Sequence, residues 1–109
     1  MKQLFDTVSL DCSKKVTTAY STSFSLGIKA LDKRFHSPIY AIYGYVRFAD
    51  EIVDTFHDYN KRELLEKFTK DTYAAIAEGI SLNPILNSFQ AVVNKYNICL
   101  LYTSDAADD

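Results

Sequence analysis

Apolar residues recur along this chain at steps of three and four, the period of helices, with no stretch of strict alternation that would mark a strand. The strongest run is Ile39, Ile42, Val46, Ala49, Val53 and Phe56, which predicts a main helix over about 38–56. Ser37 before Pro38 suits a helix start, since proline in the first turn loses no needed hydrogen bond. A start at Asp32, with Pro38 as a kink, is the alternative. Ahead of it, Val8, Cys12, Val16 and Ala19-Tyr20 predict a first helix over about 8–20. The hydroxyl-rich Tyr20-Ser-Thr-Ser-Phe-Ser25 then reads as a break, because Ser and Thr compete for backbone hydrogen bonds. A short turn near Leu26–Leu31 follows.

Capping chemistry delimits the remaining elements. Asn60-Lys-Arg-Glu63 fits a capping box opening a helix through Leu64, Phe68 and Ile76, and Gly79 suits a left-handed stop. Asn83-Pro84 opens a last helix with Ile85, Phe89, Val92-Val93 and Tyr96 on its apolar side. The fold class expected is all-α.

Composition sharpens this modestly. Tyr (8) and Phe (7) are plentiful while Gly (3) and Pro (2) are scarce, which suits long helices with aromatic surface to bury. The longest apolar run, Pro38 to Val46, falls short of the ~20 residues of a spanning helix, and the first residues do not read as a signal peptide. Cys12 and Cys99 have no metal-type spacing and suggest no disulfide framework, so a cytoplasmic location is the default. The net charge of −2 owes much to Asp105, Asp108 and Asp109. No basic patch interleaved with aromatics points to nucleic acid.

The tail from Cys99 to Asp109 does not continue the preceding helical pattern. It resembles the conceptual translation of a transposon-end sequencing adaptor. The domain is therefore expected to occupy residues 1–98, with 99–109 a non-native extension.

The candidate chemistry lies in Arg47-Phe-Ala-Asp50-Glu-Ile-Val-Asp54. Asp50 and Asp54, four apart, stack on one helix face, with Arg47 on the same side and Tyr43 a turn below. Like charges at this spacing destabilise a helix unless something neutralises them. Magnesium prefers one or two carboxylates completed by water and phosphate oxygens, so the pair is a natural half-site for a metal-bound diphosphate. Arg47 could clamp the same phosphate through its planar fork. The alternative is a solvated helix face with Arg47 in an ordinary salt bridge. Asp58 and His57 fall at the expected helix end and carry no assigned role.

Three blocks in order, Tyr20-Ser-Thr-Ser-Phe-Ser-Leu-Gly27, Ile39-Tyr-Ala-Ile-Tyr-Gly-Tyr-Val-Arg47 and Asp50-Glu-Ile-Val-Asp54, resemble the opening of squalene/phytoene synthases over roughly residues 1–98. The resemblance implies the N-terminal part of an isoprenoid-synthase helical bundle. It further implies head-to-head condensation of two prenyl diphosphates (farnesyl or geranylgeranyl diphosphate) through a cyclopropyl intermediate, with Mg2+ as cofactor. Asp50 and Asp54 would then be the catalytic, metal-holding first aspartate motif, and Arg47 a phosphate-binding residue. Ser21 and Ser23 match hydroxyls near the diphosphate, Phe24 and Tyr43 aromatics along the prenyl pocket. Without the family, the serines would be helix-break residues and the aromatics plain core. Glu51 is expected to point away from the metal. Tyr20 stands where the family often has His or another polar residue, and receives no role.

The family's second aspartate motif has no counterpart after Asp71, so the chain as written is expected to be inactive. A non-catalytic family member serving as an assembly or scaffold protein is the alternative, disfavoured by the intact polar strip. Lipid products raise peripheral association with a membrane, although no anchor is visible.

Overall fold

The computed structural model describes residues 1–98; the tail set apart above lies outside the described residues. Five α-helices follow in order: α1 (Lys2–Tyr20), α2 (Thr22–Lys29), α3 (His36–Asp54), α4 (Lys61–Glu78) and α5 (Pro84–Tyr96), with a 3-10 turn (Lys33–Phe35) leading into α3. The all-α expectation holds.

Local capping chemistry explains most boundaries. The Asn60 side chain accepts a hydrogen bond from the Glu63 N–H at 3.1 Å, and Gly79 closes α4 at φ 74°, where a side chain would be strained. Asn83 Oδ1 accepts from the N–H groups of Ile85 and Leu86, with Pro84 in the first helical position. Ser21 alone makes the break after α1. Its backbone is extended and its hydroxyl caps α2 by accepting from the Phe24 N–H, so Thr22 to Ser25, expected as irregular, are helical.

The main helix starts two residues earlier than the 38–56 expected. Asp32 caps the 3-10 turn by accepting from the Arg34 N–H at 3.0 Å, and that turn runs straight into α3. Pro38 thus sits within the first turn, where its missing N–H is no loss. At the other end α3 stops at Asp54, leaving Phe56 outside, edge-on to Tyr59.

The core forms around α5, which packs against α1, α3 and α4 and buries Ile85, Leu86, Phe89, Val92 and Val93. Tyr45 of α3 joins three helices, its ring 3.8 Å from Phe89 and 5.2 Å from Phe68 by centroids. The α1–α3 seam is unusual in chemistry. α1 turns inward not its apolar set but the residue after each: Ser9, Ser13 and Thr17, all 0% exposed, while Val8 is half exposed. Two of these hydroxyls are absorbed locally, Ser9 donating to the Phe5 carbonyl and Thr17 to that of Ser13, both at 2.9 Å, whereas the buried Ser13 hydroxyl has no hydrogen-bond partner among the described residues. Small side chains let the helices approach. A Cβ on Gly44 of α3 would meet the Cα, Cβ and Oγ of Ser13 at 3.4 Å.

A polar network ties α1 to α5. Buried Asn87 donates to Asp6 Oδ1 (2.9 Å) and Ser9 Oγ (3.1 Å), and accepts from the Ser81 N–H and the Gln90 amide at 3.2 Å. Hydrogen bonds from Lys2 and then Asn87 hold the Asp6 carboxyl below its usual range. A carboxylate depressed on folding contributes stability above its unfolded pKa and loses it as pH falls through the folded value. The urea midpoint should therefore drop as pH is lowered below about 4, and Asp6→Asn should flatten that drop. An unchanged slope in the variant would remove Asp6 from the acid response.

Candidate functional site

The face that α3 presents inward is not the stripe its periodicity suggested. Tyr40, Ala41, Gly44 and Ile52 are buried, whereas Ile42 (37%), Val46 (50%) and Val53 (51%) stand exposed. Two apolar arcs exist on this helix, and the more regular one faces away from the described core. The strip of Tyr43, Arg47, Asp50 and Asp54 runs between the two arcs, about 90° from the exposed one.

Both carboxylates are solvent-exposed, and both fall in the last turn and a half of α3. Their position is electrostatically costly. A helix C-terminus carries partial negative charge, and α3 has no basic residue in its last turn. Lys61 offsets this in part by donating its ammonium hydrogen bond to the Val53 carbonyl. A cation at the carboxylates would offset the rest.

Arg47 is held rather than free. Its guanidinium pairs with Glu51 at 3.4 Å, one turn on, and lies over the Tyr20 ring at 4.9 Å from the centroid. Tyr20 also hydrogen-bonds Glu51, which holds the phenol above its usual pKa range. Glu51 in turn is held below the usual carboxylate range, first by a hydrogen bond from Thr55 and next by that from Tyr20. Tyr20, given no role from sequence, thus closes a cluster with Arg47 and Glu51. Glu51 points to Arg47, on the side of α3 nearer the core. The i,i+4 spacing of Arg47 and Glu51 was the available signal; nothing in the sequence announced Tyr20.

The remaining candidates divide between two roles. Phe24 stacks on Tyr43 with centroids 4.7 Å apart and planes 26° from parallel, so α2 is pinned to the polar strip's own helix. Ser21, Ser23 and Phe24, with Ile28, Leu31 and Ile39, line a groove of about 570 Å³ that is mostly apolar. Ser21 spends its hydroxyl as a helix cap, and Ser23 is exposed. Asp50 and Asp54 do not line that groove.

The donor set present here would suit a hard divalent cation only as a shared ion. Among the described residues no group of three or more His, Cys, Asp or Glu side chains converges on one point, so no protein-only cage exists. Two stacked carboxylates, open to solvent at a negative helix end, suit an ion that completes its shell with water and phosphate oxygens.

These features define a class: an all-α protein that displays an acidic motif on one helix beside an apolar wall and a groove. The squalene/phytoene synthase family matches residues 17–105, a span that takes in every candidate site residue, and the chain belongs to that family. Its members are transferases of isoprenoid biosynthesis that act on prenyl diphosphates and use a divalent metal. No curated protein and no solved structure matches the chain. No helix among the described residues is long and apolar enough to cross a membrane.

Proposed function

We propose that residues 1–98 are the diphosphate-binding first half of a head-to-head prenyltransferase, of phytoene or squalene synthase type. The observation that carries this is the exposed Asp50/Asp54 pair at the only partly compensated end of α3, flanked by Arg47 and by the exposed arc of Ile42, Val46 and Val53. Asp50 and Asp54 would hold Mg2+, which when bound supplies positive charge that stabilises diphosphate as a leaving group. Arg47 would take the outer phosphate oxygens, and Ser21 and Ser23 would stand at the mouth of the groove. Phe24 and Tyr43, already stacked, would form an aromatic wall for a C15 or C20 prenyl chain. Residues 99–109 are proposed to lie outside the domain proper.

In this role the apolar arc is one wall of a cavity whose opposite wall is supplied by further helices. Among the described residues nothing covers that wall, which stands in water. A carbocation formed there would be quenched before coupling. Incubated with farnesyl or geranylgeranyl diphosphate and Mg2+, the chain should therefore yield no coupled hydrocarbon and should self-associate through its exposed apolar surface. A soluble monomer that makes such a product would overturn the half-site proposal. Binding is tested separately by titrating Mn2+, a paramagnetic substitute for Mg2+, into 15N-labelled chain with inorganic pyrophosphate. Broadening should centre on residues 47–54, and uniform broadening across the chain would count against the site.

A further inference from the structure

Arg47 lies in an arrangement more elaborate than a phosphate-binding arginine on an exposed helix requires. Its Nε is buried and has no hydrogen-bond partner among the described residues, although the side chain as a whole is only part-buried. Its guanidinium is covered on one face by the ring of Tyr20, from the last position of α1, while Glu51 holds one terminal nitrogen at 3.4 Å. Two side chains from two helices thus hold Arg47 at once, the Tyr20 ring against its face and the Glu51 carboxylate at its edge.

Long arginine side chains on helices ordinarily sample many rotamers, and ordering one on binding costs affinity. A ring contact and an ion pair fix the plane of the guanidinium before any ligand arrives. Fixing that plane matters because bidentate recognition of phosphate depends on it. Ser21 follows directly after Tyr20, so the break that ends α1 also sets where the ring sits relative to α3.

We infer that Tyr20 and Glu51 are positioning residues for Arg47, holding its guanidinium plane ready for a phosphate group. This rests on the diphosphate role proposed above, and it assigns to Tyr20 a part in substrate specificity for the anionic end rather than for the prenyl chain. Neither residue touches the ligand. Each acts through Arg47.

The experiment reads Arg47 directly. In 15N-labelled chain at low temperature, the Arg47 Nε–Hε resonance should exchange slowly with solvent, because its nitrogen is buried. Tyr20→Leu, at an exposed helix end where the fold tolerates the change, should speed that exchange at least about tenfold, whereas Tyr20→Phe, which keeps the ring, should stay close to wild type. Magnesium pyrophosphate should shift the Arg47 resonance in wild type. Its half-saturation concentration should rise roughly threefold in Tyr20→Leu and less in Tyr20→Phe. Thermal unfolding followed by circular dichroism separates this from a general loss of structure. If wild type responds to pyrophosphate and Tyr20→Leu responds identically, with equal Nε–Hε exchange, the positioning role is wrong and the diphosphate role stands. If the wild-type Arg47 resonance ignores pyrophosphate, both fall.

Discussion

Gly44→Leu should cost about 3 kcal/mol of stability, the upper end of what overpacking exacts, and raise the unfolded fraction about a hundredfold. Gly44 lies where α3 crosses α1, and even a single added carbon would touch three atoms of Ser13 at 3.4 Å. That distance is ordinary contact, so Gly44→Ala should be tolerated. It should even gain up to about 1 kcal/mol from better helix propensity. A leucine cannot be housed there without prising the seam apart, and both sides of the seam are backbone-close. Equilibrium urea unfolding of the two variants against wild type is the check. Equal midpoints for Gly44→Leu and wild type would mean that the helices are not pressed together as described. Loss on alanine would mean the seam is tighter still.

Replacing both motif carboxylates, Asp50→Asn with Asp54→Asn, should abolish the Mn2+ broadening at residues 47–54 and weaken magnesium pyrophosphate binding by at least about tenfold. The amides keep size and hydrogen-bonding capacity but remove the charge that a hard cation needs. The fold should be unharmed or slightly steadier. Both positions are exposed, and two negative charges disappear from the negative end of a helix. This combination of lost ligand binding with retained or improved melting temperature distinguishes a functional carboxylate pair from a structural one. Should the variant bind Mn2+ in the presence of pyrophosphate as wild type does, the metal role of Asp50 and Asp54 is excluded.

Local chemistry was legible in the sequence where it decides structure by itself. Asn60 and Gly79 bracket α4, and Asn83-Pro84 opens α5, because caps and left-handed stops depend only on neighbours along the chain. Tertiary choices were not. On α3 the periodicity located a regular apolar arc but could not say which of two arcs meets α5, and it is Tyr40, Ala41, Gly44 and Ile52 that do the burying. On α1 the search for apolar spacing passed over Ser9, Ser13 and Thr17, since a seam of close approach selects for small size rather than hydrophobicity. The same holds at the site. The Asp50–Asp54 spacing was readable as one helix face, whereas the Tyr20 contact with Arg47 joins residues of separate helices and leaves no mark on the sequence pattern.

The hydroxyl seam between α1 and α3 also bears on how the chain answers temperature. Unfolding usually wets apolar surface and raises heat capacity, by about 12–15 cal/mol/K per residue, while newly wetted polar surface lowers it. Here one of the longest helices gives up Ser9, Ser13 and Thr17 to water in place of leucines or valines. Its contribution to the heat-capacity increment is correspondingly small, and the stability curve is broadened. Such a curve makes the helix pair less prone to come apart in the cold than a leucine-packed pair of the same length, because little of its cohesion depends on the hydrophobic driving force that fades on cooling.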